Sequence, residues 1–414
     1  MKKPPEICGP LTAVAAGVLF VTGCAAPPPS SAPLDVRPGV DALMADLPAP
    51  LHGARVGLIT NQTGIDAGGR STIDRLAEDE RVELVALYSP EHGIRGTAAP
   101  GELVDHSVDE RTGLPVHSLY GETRRPTPEM LEGVSALVFD IQDVGARPYT
   151  YVYTMALAME EAAEQELPFY VLDRPNPITG TVEGGVLDPE FATFVGLYPI
   201  AMRHGMTAGE LARMFNEEFD IGAELHVIRA EGWQRDRWWD ETGLPWVAPS
   251  PNLPRLDAAV HYPGTVLFEG TNLSAGRGSS HPFEQIGAPW LEAEAVVREM
   301  EGLGLPGVAF ERVSFTPTDP GDGKFDGERV EGVRLVITDR ERYRPVETSV
   351  RLMAAVHDMH REQIEWHVSH LDRLAGTDDL RLAIEAGGVD DLLQGWEGEA
   401  AEFERLRSRF LLYE

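Results

Sequence analysis

The sequence predicts an α/β protein: a Rossmann-like parallel sheet with helices on both faces, followed by a smaller C-terminal α+β domain. Three observations predict it. Short apolar runs recur at RVGLIT (55–60), LVAL (84–87), ALVF (136–139) and Pro168–Leu172, with room for a helix between them. Each run is continuously apolar, as strands buried on both faces are. A polar residue follows each one: Asn61, Glu91, Asp140 and Asp173. In a parallel sheet these loops open on one edge, and open α/β sheets bind their ligands at that edge.

The chain begins with Lys2 and Lys3, then an apolar run, Leu11–Val21, of signal-peptide length and too short to span a bilayer. The run ends Val21-Thr22-Gly23-Cys24, which resembles a lipobox, and residues 25–33 hold only Ala, Pro and Ser. The expected organisation is a lipoprotein signal peptide over 1–23, a tether over 24–36, a Rossmann-like domain over 37–240 and a C-terminal α+β domain over 241–414. Cys8 leaves with the signal, so no disulfide forms within the mature chain. The protein is expected to be exported and held to a membrane by lipid on Cys24.

Within the first domain, Ser71 with Asp74 three residues on marks a helix start, and Thr127-Pro128 reads as another. Thr150–Glu166 has helical apolar spacing, and Thr207 with Glu210 forms a capping box before a helix to about Phe219. Thr60–Gly64 lacks the G-x-G-x-x-G spacing of a dinucleotide site, and no cofactor is expected. Beyond Trp233 the texture changes. Trp238, Trp239 and Trp246 sit in or beside a Pro-rich stretch, and Val260–Pro289 reads as mostly loop. Helices are expected near Glu292–Met300, Ser349–His360, Asp378–Ala386 and Asp390–Arg409, with strands near Val308–Phe315 and Val330–Ile337.

The formal net charge is −32. That excludes a basic groove for nucleic acid and electrostatic attachment to anionic lipid. Lys2, Lys3 and Lys324 are the only lysines, so arginine carries nearly all positive charge.

Glu91 is the leading catalytic candidate. It lies between Pro90 and His92 on a tight loop leaving a buried strand, where desolvation keeps a carboxyl protonated for general-acid work. A solvated loop glutamate is the alternative. Asp140 could be a second catalytic carboxylate or an ion-pair partner, and Asp143 a substrate ligand or a turn cap. Glu269, in FEGTN, is the other possible second carboxylate. Arg95, Arg147, Arg174 and Arg277 suit an acidic substrate, because guanidinium matches carboxylate bidentately, or else form structural ion pairs. Asn61, His92, Tyr149, Asp173, Asn176 and Asn272 lie on the same loops and are candidate substrate contacts, although the Tyr149, Tyr151 and Tyr153 alternation also suits packing. His92, His204, His261 and His281 show no H-x-x-x-H or paired Cys/His spacing, so no metal site is expected. A G-x-S-x-G elbow is absent from the sequence.

With these residues in hand, the chain resembles the exo-β-N-acetylmuramidase family of the NamZ type, formerly a family of unknown function. The matching stretches include GLITNQTGID (57–66), LYSPEHGIRG (87–96), LVFDIQDVGAR (137–147), VLDRPNPITG (171–180), RHGMTAGELA (203–212), YPGTVLFEGTNLSAGRG (262–278), PFEQIGAPW (282–290) and LAGTDDLRLAIEAG (374–387). The resemblance implies a Rossmann-like domain with a smaller C-terminal domain and an active site between them. It implies release of N-acetylmuramic acid from the non-reducing ends of peptidoglycan fragments, with the glutamate of the SPEHG motif, Glu91, as catalytic residue. The lactyl carboxylate of that sugar would give the arginines a purpose. The second group would be Asp140, Glu269 or the acetamido group of the substrate. A non-catalytic wall-fragment-binding lipoprotein and a metal-dependent hydrolase are the rival readings.

Overall fold

The computed structural model describes residues 1–2, 35–96, 102–103 and 105–414. The expected signal segment, Cys24 and the tether as far as residue 34 lie outside the described residues. The described residues from Asp35 to Glu414 form one compact unit.

Its first part supplies strands β1 (Arg55–Thr60), β2 (Glu83–Ser89), β3 (Ser107–Val108), β4 (Pro115–Ser118), β5 (Ala136–Asp140), β6 (Phe169–Leu172), β7 (Glu183–Val186), β8 (Ala201–Arg203) and β9 (Leu225–Ile228). Helices α1 (Gly39–Ala45), α2 (Thr72–Ala77), α3 (Tyr151–Glu164) and α4 (Ala208–Glu218) accompany them. The main sheet runs β3-β4-β2-β1-β5-β6-β9, and its pairs are parallel except β3 with β4.

Side chains alternate across this sheet, as the pleat requires. Ile59, Ala86, Tyr88, Leu137 and Phe139 join the core that holds Val152 and Met155 of α3 and Leu211 of α4. Val56, Leu58, Leu87 and Val138 join the opposite core with Val40 and Leu43 of α1 and Ile73 and Leu76 of α2. Helices therefore cover both faces, as expected. From β1 the chain builds outward through β2 and β4, then returns to β5 on the other side. The order reverses between β1 and β5, and at such a switch point the adjoining loops diverge to leave a crevice.

The second part supplies α5 (Leu256–Thr265), β10 (Gln285–Ala288), α6 (Ala293–Leu303), β11 (Val308–Phe315), β12 (Val330–Ile337), α7 (Pro345–Met359), α8 (Val368–Ala375), α9 (Asp379–Ala386) and α10 (Val389–Arg407). An antiparallel sheet β10-β12-β11 forms the centre of this α+β lobe.

Several short elements, among them α1, α8, β4 and β10, were not expected, and three differences are instructive. Thr127-Pro128 opens only turns, not a helix. The segment expected to be loop contains α5, with Pro263 inside it. Its pattern is masked because α5 is buried over Ala258–Thr265, so no polar face shows. A Cβ at Gly264 would lie 2.0 Å from the Pro345 carbonyl oxygen, so glycine lets α5 press against the start of α7. The edge strand β9 is half-buried throughout, and its short run carries no apolar signal of the central kind.

Candidate active site

Strand β2 ends at Ser89, and Pro90-Glu91-His92-Gly93 turns away from it. His92 is buried and has φ of 69°, a left-handed backbone that costs energy for any residue except glycine. The turn holds Glu91 half-buried, and Thr150 Oγ1 donates to its Oε2 at 3.0 Å. Tyr120 also bonds Glu91 through its phenol, and the Arg124 guanidinium lies over the Tyr120 ring at 4.2 Å. Thr150 is the N-cap position of α3, yet its hydroxyl makes no cap bond.

Three tyrosines extend from this point. Tyr149 meets Tyr151 edge-on at 4.8 Å between ring centres and meets Tyr262, on α5, at 5.8 Å. Tyr262 in turn meets Phe283 at 4.9 Å. Tyr151 donates to the Pro249 carbonyl at 2.7 Å, and the side-chain oxygen of the buried Asn61 accepts from the amide and hydroxyl of Thr63. Burial pushes the Tyr262 phenol well above the usual range. Glu269, Glu91 and Asp143 add to that rise and Arg277 opposes it. One tyrosine ring thus lies within the fields of three carboxylates and an arginine from both lobes.

Glu269 sits in the short 3-10 turn that follows α5, and its Oε1 lies 2.6 Å from Arg277 Nη2. The two side chains are 16% and 14% exposed, so the pair can be reached from solvent. Arg277 also lies over the Phe283 ring at 5.4 Å. Asp143 follows β5. Its Oδ2 accepts from the Gly145 amide at 2.7 Å and lies 3.3 Å from His204 Nε2, while its Oδ1 is buried without a hydrogen-bond partner. The turn there needs glycine: Gly145 has φ of 82°, and a Cβ would lie 2.6 Å from Asn176 Oδ1.

Other expected site residues have structural roles. Asp140 is fully buried, receives Arg174 Nε at 2.5 Å and Arg174 Nη2 at 2.9 Å, and bonds the Thr72 hydroxyl. With both oxygens filled and no access, it is no second catalytic carboxylate, and Arg174 is no substrate arginine. Asp173 is fully buried; it accepts from the Arg174 and Gly209 amides, Thr207 Oγ1 and the Tyr413 hydroxyl. Burial pushes it up to about 6. It anchors the C-terminal residues to α4, and protein donors fill both of its oxygens.

Arg147 is fully buried among carbonyls of Gly185, Ile200, Leu374 and Ala375, and burial lowers it to about 10. Asn176 is buried and shapes a turn through the Ile178 amide and the Met206 carbonyl. Asn272 bonds the Gln363 carbonyl and the Glu365 amide, using both ends of its amide group. Arg95 is exposed and paired with Asp109. Of the four arginines expected to meet an acidic substrate, Arg277 alone stands beside Tyr262.

Tyr120, Thr150, Tyr262 and Lys324 were missing from the expected set. Tyr262 carried a signal, since it opens the YPGTVLFEGTN stretch that holds Glu269. Thr150 and Tyr120 carried none that spacing could read. Among the described residues, no group of three or more His, Cys, Asp or Glu side chains could hold a metal ion.

A doubly wound sheet whose switch-point crevice gathers carboxylates and tyrosines, joined by an arginine from a second lobe, defines a two-lobed α/β protein with a cleft suited to acid–base chemistry. The chain belongs to the exo-β-N-acetylmuramidase NamZ family: the family's N-terminal domain matches residues 56–257 and its C-terminal domain residues 260–413. It is 47% identical over 381 residues to the peptidoglycan β-N-acetylmuramidase NamZ of Bacillus subtilis (strain 168), covering 91% of each chain. Two crystal structures of DUF1343 family proteins from Bacteroides fragilis NCTC 9343 share the fold. One has a TM-score of 0.84 at 37% identity and the other 0.75 at 31%, each covering 92% of this chain and 99% of its own.

Proposed function

We propose that this chain is an exo-acting β-N-acetylmuramidase, a glycoside hydrolase that releases N-acetylmuramic acid from the non-reducing ends of peptidoglycan fragments. The carrying observation is the aromatic bridge between the lobes: Thr150, which donates to Glu91, follows Tyr149, Tyr149 meets Tyr262 of the second lobe, and Tyr262 meets Phe283, over which lies Arg277, the partner of Glu269. Glycoside cleavage needs a proton donor for the leaving oxygen and a second group for the anomeric carbon. Glu91 gives its proton to the glycosidic oxygen as that bond breaks. With Asp140 sealed, we assign to Glu269, the carboxylate from the second lobe, removal of a proton from the attacking water, whose oxygen bonds the anomeric carbon. Thr150 and Tyr120 fix the acid, and the tyrosines shield the reacting centre from bulk water.

The leader adds a location. The Lys2-Lys3 start, the apolar run and Cys24 support export and a lipid anchor in the cell envelope, where wall fragments are at hand. Finding the protein in the membrane fraction, and Cys24→Ala in the soluble fraction, is the check.

A chromogenic β-N-acetylmuramide and the matching glucosaminide test the activity. The muramide is cleaved and the glucosaminide is not; the reverse result ends the muramidase reading. Glu91→Gln lowers kcat by about 10³ or more while the muramide still binds, since general acid catalysis and charge development both fail. Turnover within a few-fold of the parent would remove Glu91 as the acid.

A further inference from the structure

We propose that Arg277, backed by Lys324, seats the lactyl carboxylate of the terminal N-acetylmuramic acid and so sets the preference for muramic acid over glucosamine. This rests on the muramidase reading and adds the residues that make it selective.

The two sugars differ in one group, a lactyl ether ending in a carboxylate. Selecting for it takes a partly desolvated positive charge, because an exposed one is screened. Such a charge is hard to find in a chain of net charge −32. Among the site candidates, Arg147 and Arg174 are buried on protein partners, and Arg95 is exposed and paired with Asp109. Arg277 differs. Its Nη2 holds Glu269, a side-chain carboxylate at the cleft, and its side chain keeps 14% of its surface exposed, whereas Arg147 and Arg174 are sealed. Beside Tyr262, the donors that Glu269 leaves on this guanidinium suit a carboxylate.

A second cation stands behind it. Lys324 is the only lysine after Lys3. Its Nζ donates to the carbonyls of Phe268, Glu269 and Leu273 at 3.2, 3.2 and 3.0 Å, pinning the loop that carries Glu269. Those bonds use its donors without neutralising its charge. Burial pulls Lys324 below the usual lysine range; Asp322 and Glu269 oppose that shift, and Arg277 adds to it. Asp322 is exposed and therefore screened, and burial lowers His370, which also faces Glu269 and Lys324. At this end of the site Arg277 and Lys324 stand with Glu269, while Glu91 and Asp143 act on Tyr262 from the first lobe. A bound carboxylate meets these two cations, and a neutral sugar does not.

The test compares a chromogenic β-N-acetylmuramide as the free lactyl acid with its lactyl methyl ester, which keeps shape and loses charge. The parent enzyme prefers the acid by about 10–100-fold in kcat/KM, the range of a charge-assisted hydrogen bond. Arg277→Gln brings that ratio close to one, and Lys324→Gln lowers it by about tenfold or less, because its charge acts without contact. A residue that only held the fold would lower both rates and leave the ratio unchanged. Acid and ester cleaved within about twofold by the parent enzyme overturn the assignment of Arg277 while leaving the muramidase reading intact. Failure to cleave either muramide sinks that reading itself. Because the parent ratio is decisive alone, misfolding of Lys324→Gln does not shelter the proposal.

Discussion

Two polar regions lie on the same edge of the same sheet and use the same residue types. Around Asp140 and Asp173 every carboxylate oxygen has its donors, and both residues are fully buried. Around Tyr262, Asp143 Oδ1 and Arg277 Nε have no hydrogen-bond partner, and the Glu269–Arg277 pair reaches solvent. Buried polar groups in proteins are almost always hydrogen-bonded, and leaving one unmet costs about 1–3 kcal/mol. The open oxygen of Asp143 and the solvent-reachable Glu269–Arg277 pair therefore distinguish this region from the one that holds the loops in place. The location of an acid at a strand end does not separate them; the accounting of its donors does.

Asp140→Ala tests that contrast most severely. It strands Arg174 in the core, and breaking a buried pair by removing one partner costs about 3–5 kcal/mol. Denaturant unfolding should show that loss, while Glu91→Gln leaves the midpoint nearly unchanged. If Asp140→Asn keeps full stability and loses turnover, Asp140 belongs to the chemistry and the contrast fails.

Much of this was legible in the sequence. Continuous apolar runs located four of the central strands, and the strand-end rule brought Asn61, Glu91, Asp140 and Asp173 to one edge. The spans Val308–Phe315 and Val330–Ile337 match β11 and β12 to the residue. What the pattern could not say was which carboxylate meets which donor. Asp140 meets Arg174, 34 positions away, and Asp173 meets Tyr413, 240 positions away. Those pairings are set by tertiary packing, so residues equal on paper divide into sealed and available ones only in three dimensions. Tyr262 escaped notice because it sits in a buried helix interrupted by proline, which reads as loop.

Glu183 sharpens the rule, because it has an unfilled oxygen outside the cleft. Its Oε1 accepts the Val346 and Glu347 amides at the start of α7, while its Oε2 is buried and unpartnered. Burial pushes it up to about 7 from 4.5, against Arg203 and the helix amides. A raised carboxyl favours folding in its protonated form. That stability is full below about pH 4.5 and is lost as pH rises through about 7. Glu183→Gln keeps the acceptor and cannot ionise. Relative to the parent, it should gain about 1–3 kcal/mol in unfolding free energy between pH 4.5 and pH 8. A constant difference over that interval would mean that Glu183 ionises without cost, and that its bare oxygen is solvated.

The smallest effect comes from two threonines at equivalent helix positions. Thr207 caps α4 fully, accepting from the Glu210 amide while Glu210 reaches back to the Thr207 amide. Thr150 holds the same position on α3, makes no cap bond and gives its hydroxyl to Glu91 instead. Thr207→Val should therefore cost about 1–2 kcal/mol of stability, the usual loss of a cap. Thr150→Val should leave the unfolding midpoint almost unmoved and lower kcat/KM about five- to tenfold, the equivalent of one hydrogen bond of about 1 kcal/mol. If Thr150→Val destabilised the fold as much as Thr207→Val and left turnover alone, its hydroxyl would belong to the helix and not to the acid. The structure points the other way, since the Thr150 hydroxyl accepts from no amide of α3 and donates to Glu91.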